Sequence, residues 1–294
     1  MNYNTQVNRI FSTVFEPRIQ KLFERIILIL AGVGFLVHLL LIVLKSNKIS
    51  FLAEINSELL NDPITAIYTP FSLILFYEVY LLVFYLPRSF TSCVSKQFEI
   101  ISLIVIRKIF KDIPLMDLNG DWYLSQHNLE LMVDLIGFLI LFLLIYWFSV
   151  GKRRLSKRAV EDPKLLNFIT SKKIVSLVLL VLLVVMSFHS LINWIIDFYF
   201  NELVYNVDSV FFNQFFTLLI LTDVVILLIS FRYTEEYSKL IRNTGFIIAT
   251  ILIRLSFSAE GFLNIILILT GVGFALLILQ IFNAMENPKL DSTV

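Results

Sequence analysis

Eight stretches of this chain are too apolar and too long to belong in water, and their number and spacing decide what it can become. Crossing a hydrocarbon core of about 30 Å takes about 20 residues of helix. Runs that meet or approach this length fall near 26–44, 66–86, 95–113, 129–149, 174–196, 210–231, 243–258 and 262–282. Hydrocarbon offers the backbone no hydrogen-bond partner, so each run has to satisfy itself as a helix. Hydrophobic residues make up 58% of the 294 and charged ones only 16%, and the connecting loops are too short to fold as soluble domains. The expected fold is all-α, a polytopic membrane protein with eight transmembrane helices.

Orientation follows from where lysine and arginine collect, because short basic loops stay on the cytoplasmic side. GKRRLSKR at 151–158 is the strongest such marker. Placing it inside puts both termini inside, with Arg88, Lys172, Lys173, Arg232 and Lys239, and leaves acidic or uncharged loops such as DFYFNELVYNVDS outside. The third segment carries Arg107, Lys108 and Lys111 at its outer end, yet dropping it would throw GKRRLSKR to the wrong side. It therefore counts as a span whose polar stripe faces protein or water. Before the first span, Phe11, Val14, Phe15, Leu22 and Phe23 are interleaved with Arg18, Lys21 and Arg25, the pattern of an amphipathic helix on the inner surface. The chain thus divides into an interfacial helix at 1–25, a four-helix unit at 26–150, a basic linker at 151–173, a second unit at 174–283 and a tail at 284–294. The expected location is the cell membrane, multi-pass, with both termini cytoplasmic. A single cysteine, Cys93, excludes an internal disulfide framework, and a net charge of +1 argues against nucleic acid as a partner.

The two units resemble each other. EIISLIVIRKIF (99–110) aligns with FIIATILIRLSF (246–257), matching Arg107 to Arg254 among shared isoleucines. Upstream, Glu78 in EVYLLVFYLPRSFTSCVSK corresponds to Asp223 in DVVILLISFRYTEEYSK; downstream, Glu130 and Asp134 correspond to Glu260 and Asn264, and His38 corresponds loosely to His189. An even number of spans per unit gives both the same orientation, so the expected architecture is two parallel four-helix repeats about an axis along the membrane normal.

Depth then selects partners. At 1.5 Å per residue, Glu78 and Asp223 lie about 12 Å from the cytoplasmic ends of their spans, and Arg107 and Arg254 about 16 to 18 Å. An arginine side chain covers that difference, so Glu78 is expected to pair with Arg107 and Asp223 with Arg254 near the bilayer midplane. A charge there costs at least about 2.5 to 3.5 kcal/mol. Intramembrane ionisable groups usually mark a pathway, and the expected function is movement of an ion, a proton or a small charged solute past these pairs. Tyr77, Tyr80 and Tyr85 surround Glu78, while Asn213, Gln214, Thr217, Thr222, Ser256 and Ser258 flank the second pair. Glu130 and Asp134, one turn apart, are expected to join Arg107, Lys108 and Lys111 in an ion-pair network rather than hold a metal.

The competing reading is a non-transporting sensor or assembly subunit in which the pairs only fasten helices. Two further readings carry less: a haem held by His38 and His189, or an intramembrane lipid enzyme. No nucleophile elbow, phosphate loop or zinc spacing occurs, and no cofactor is expected. The expected partners are the bilayer and the solute. AGVGF at 31–35 and TGVGF at 270–274 supply small residues for close helix approach, within the chain or in a homo-oligomer.

Overall fold

The computed structural model describes residues 3–47, 63–113, 116, 125–153, 163–200, 207–233, 236–259 and 261–286, and these are helical apart from short turns. Nine α-helices follow in order: α1 (Tyr3–Val14), α2 (Pro17–Ser46), α3 (Tyr68–Tyr85, entered through a 3-10 turn at Pro63–Ile67), α4 (Phe90–Asp112), α5 (Gln126–Arg153), α6 (Pro163–Phe200), α7 (Val207–Tyr233), α8 (Tyr237–Ser256) and α9 (Phe262–Glu286). Six stretches are long and apolar enough to cross a membrane, falling on α2, α3, α5, α6, α7 and α9. Helices α4 and α8, the third and seventh predicted segments, have 23 and 20 residues. At about 34 and 30 Å they do not lack length. Their charges set them apart: α4 carries Lys96, Glu99, Arg107, Lys108, Lys111 and Asp112, and α8 carries Lys239, Arg242 and Arg254.

Local chemistry explains the breaks. Proline disfavours the helical conformation in the residue before it, and its fixed φ suits a first turn. Glu16 is accordingly extended at φ −66° and ψ 136°, and Pro17 opens α2. The amphipathic segment expected at the N-terminus is therefore divided by an elbow, and α1 lies along α6. Phe15 at the elbow is buried, stacked on Phe11 and packed on Phe84 of α3, while Lys173 of α6 bonds Asn8 at 2.6 Å. The side chain of Ser89 caps α4 by accepting the Ser92 amide. Between α8 and α9 the chain reverses through three overlapping 3-10 bonds and Gly261 at φ +59°, a left-handed position where only glycine escapes a Cβ clash.

Helices α2, α3, α4 and α5 pack as consecutive neighbours, and so do α6, α7, α8 and α9. The two rows meet where α5 lies on α9, α4 on α8 and α3 on α6. Helices α5 and α9 run in the same direction, since Gly137 faces Ile265 near their starts and Gly151 faces Leu279 near their ends. At the crossing of α4, α5 and α8, Phe148 packs edge-on to Phe98 at 5.0 Å and against Phe246 at 5.7 Å, all three enclosed. Outward faces are apolar, as Leu36, Leu139, Phe142, Val181 and Phe188 each expose more than 60% of their surface. No soluble monomer presents so much bare hydrocarbon side chain. The chain is a multi-pass membrane protein by this count.

The glycines of the two matching motifs divide by use. A Cβ on Gly34 would touch Thr69 of α3 at 3.0 Å, and one on Gly271 would sit 2.9 Å from the Ala249 carbonyl of α8, whereas Gly32 and Gly273 have open space. Gly271→Leu is expected to destabilise the protein by about 1 to 3 kcal/mol through overpacking. Gly273→Leu should leave the melting temperature of the detergent-solubilised protein unchanged, so the pair of melting curves provides its own control.

Candidate functional site

Helices α4 and α8 turn their arginines, Arg107 and Arg254, inward against neighbouring helices. Arg254 lies on the inner side of α8, 3% exposed, and its Nη1 donates to Asp223 Oδ2 of α7 at 2.5 Å and to the Leu219 carbonyl at 2.8 Å. Asp223 accepts a further bond from the Thr250 hydroxyl at 2.8 Å. Thr250 is one turn before Arg254 on α8, so one helix face presents both a cation and a hydroxyl to the same carboxylate. The Arg254 Nη2 has no hydrogen-bond partner among the described residues.

The first unit repeats the contact with a different surround. Arg107 Nη1 of α4 approaches Glu78 Oε2 of α3 to 2.6 Å and the Phe71 carbonyl to 3.3 Å, again bridging an acid and a carbonyl of the preceding helix. Both predicted ion pairs are thus in direct contact inside the bundle. The tyrosines expected around Glu78 do other work. Tyr77 donates to Glu24 of α2 at 3.0 Å, Tyr85 lies under the Arg88 guanidinium at 5.0 Å, and the buried Tyr80 hydroxyl has no partner among the described residues.

Next to Asp223 is a void of about 20 Å³, room for one water molecule. Its walls include Cys93 and Gln97 of α4, Lys172 of α6, Asp223 of α7 and Thr250 of α8, so it touches both rows of helices. Lys172 is 3% exposed; its ammonium donates to the Arg88 carbonyl at 2.5 Å and stands 4.7 Å over the Phe90 ring. Lys172 and Gln97 are functional candidates that the sequence reading missed, Lys172 having counted there only as a marker of the inner face. A helical stripe through Phe168, Lys172, Ser176, Leu179 and Leu183, all buried, was the available signal. Most of the polar residues singled out near Asp223 do not line the void. Gln214, Thr217 and Ser258 are exposed, while Thr222 and Ser256 bond the carbonyls of Leu218 and Ile253 in their own helices, a common fate of hydroxyls in membrane helices.

The outer constellation is realised in part. Lys108 of α4 bonds Asp134 of α5 at 2.8 Å, but Glu130 accepts Gln126 at 3.1 Å on its own helix. Asn264 donates to the Ser256 carbonyl at 2.8 Å, closing the α8–α9 turn, and Glu260 lies outside the described residues. The histidines do not enter the site. His38 shares a 2.7 Å hydrogen bond with Thr69 across α2 and α3, and His189 is exposed on α6.

No protein-family model, no curated protein and no solved structure matches this chain.

Removing one member of a buried pair leaves the other charge uncompensated, at a cost of about 3 to 5 kcal/mol. Asp223→Leu is expected to lose stability of that order in thermal unfolding, and combining it with Arg254→Met should restore most of it. Lys108→Ala should cost about 1 to 3 kcal/mol, less than a fully buried pair because Lys108 is 38% exposed, but more than a surface pair because it leaves the buried Asp134 carboxylate without its cation.

Proposed function

We propose that the protein moves a small ion or a proton across the bilayer, with Asp223 as the central group. The observation that supports this reading is the clustering of Lys172, Gln97, Thr250, Asp223 and Arg254 around one small void whose own open surface is apolar. A polar seam extends from it in both directions. On the basic face it passes Lys172 and the Arg88 carbonyl; on the other it passes Thr250, Arg254 and the Asn264 amide on the Ser256 carbonyl. In this scheme Lys172 and Arg254 hold a carboxylate between two cations, Asp223 is the group that a passing ion or proton engages, and water in the void makes the connection. Arginine does not release its proton, so Arg254 sets the field and does not carry the load.

The same proposal includes eight crossings and a duplicated unit. Its α4 and α8 cross within the bundle, screened by α3, α5, α7 and α9. Supporting the duplication, a two-fold axis requires corresponding helices to meet their own counterparts, as α4 meets α8 and α5 meets α9, and it requires the parallel run of α5 with α9. Contact of α3 with α6 departs from that symmetry.

A second reading, with the pairs as fasteners only, is favoured by one specific observation: each arginine also donates to a backbone carbonyl of the acid's helix. Flux separates the two. In liposomes loaded with pH- and ion-sensitive dyes, the wild-type protein is expected to pass protons or one monovalent ion well above protein-free vesicles. Asp223→Asn should lower that flux about tenfold or more, and Glu78→Gln should leave it within about twofold. Wild-type vesicles as tight as empty ones would retire the transport reading in favour of the fasteners.

A further inference from the structure

A groove of about 370 Å³ opens between the elbow of α1 and α2, the face of α3 and the side of α6. Its walls include Phe23, Phe76, Tyr80, Leu183, Val184 and Phe188, and its hydroxyl-bearing Ser187 is bonded to the Leu183 carbonyl at 2.8 Å. The lining thus offers hydrocarbon and aromatic faces to an occupant and keeps Ser187 engaged with its own helix. Beyond the groove, α2 and α6 expose further aliphatic side chains, Val37, Val181 and Val185 among them.

One end differs from the rest. Val14 and Ile19 mark it at the elbow, on the face that carries the basic loops. Arg18 adjoins Ile19 with a side chain 92% exposed, 3.5 Å from the half-exposed Glu16, a surface pairing worth little. On α6, Lys173, which donates to Asn8 and stands 5.4 Å over the Phe11 ring, occupies the same stripe as Leu180 and Val184, seven and eleven residues further on. An apolar trough with Arg18 next to one of its lining residues and Lys173 two helical turns before another matches an amphiphile with an anionic head and a hydrocarbon tail.

We infer that the groove is a binding site for one acyl chain of an anionic phospholipid, with the headgroup held at the Arg18 and Lys173 rim. The site rests on the membrane reading and not on transport, since no residue of the Asp223 seam takes part. Bound there, the lipid would touch α1, α2, α3 and α6 together and join the elbow to the rest of the fold.

Native mass spectrometry of the delipidated protein in mild detergent tests this with dioleoyl phosphatidylglycerol and dioleoyl phosphatidylcholine as probes. The anionic lipid is expected to bind at least about fivefold better. Arg18→Glu should lower that preference about fivefold or more, since it changes the charge by two units and one unit near a lipid headgroup is worth about fivefold. Val184→Trp, which fills the trough, should reduce binding of both lipids. Equal binding of the two probes, or an unaltered preference in Arg18→Glu, overturns the assignment. Because Arg18 is exposed and buries nothing, that comparison holds even if Val184→Trp fails to fold.

Discussion

A guanidinium cannot be discharged inside a membrane, and its position dictates what surrounds it. Arg254 and Arg107 each need an oxyanion at the same depth on an adjacent helix and a place shielded from lipid tails. Asp223 and Glu78 meet the first need from the helix just before. The second need sets the order of the bundle. Of the longer helices the least apolar, α4 and α8, become the most surrounded, and the strongly apolar α2 is left outermost, burying only Ile27, Ala31 and Ile42. This inverts the arrangement of a soluble protein, where charge is sent to the rim.

The two pairs have different settings. Where α8 has Thr250 to reinforce Asp223, the aligned residue of α4 is Leu103, which is half exposed. Where α4 uses Lys108 to reach Asp134, the aligned residues are Leu255 and Asn264, and an amide-to-carbonyl bond replaces the ion pair. The Asp223 site has the void and the extra cation; the Glu78 site has neither within its described contacts. If the units arose by duplication, one kept a reinforced outer clasp and the other acquired a polar interior.

Much of the framework could be read from the sequence because membrane burial imposes a long, nearly unbroken pattern. Helix identity, the pairing of Glu78 with Arg107 and of Asp223 with Arg254, and the Lys108 to Asp134 contact follow from span length, depth and charge. What escaped was angular. Lys172 and Lys173 look alike in a basic cluster, yet one turns toward Asp223 and the other toward Asn8, and only the stripe through Ser176 and Leu179 distinguishes them. Likewise, Gln214 and Thr217 had suitable depth and the wrong azimuth. In helices that are apolar on every side, polarity gives little information about which way a residue points, and packing decides. The elbow at Glu16 has a simpler origin: Pro17 sets it, while the amphipathic pattern runs on through it.

The acid precedes its arginine in both pairs, and on the neighbouring helix. During biosynthesis this order means that Glu78 has emerged from the ribosome before Arg107, and Asp223 before Arg254. In the proposed eight-span arrangement each marginal helix can therefore enter the bilayer as the second arm of a hairpin whose first arm already carries the opposite charge, without waiting for the other half of the chain. Reversing that order within a hairpin would oblige a guanidinium, which cannot shed its charge as a waiting carboxylate can by taking up a proton, to linger at the insertion machinery, and the yield of correctly threaded chains would depend on how long it waited.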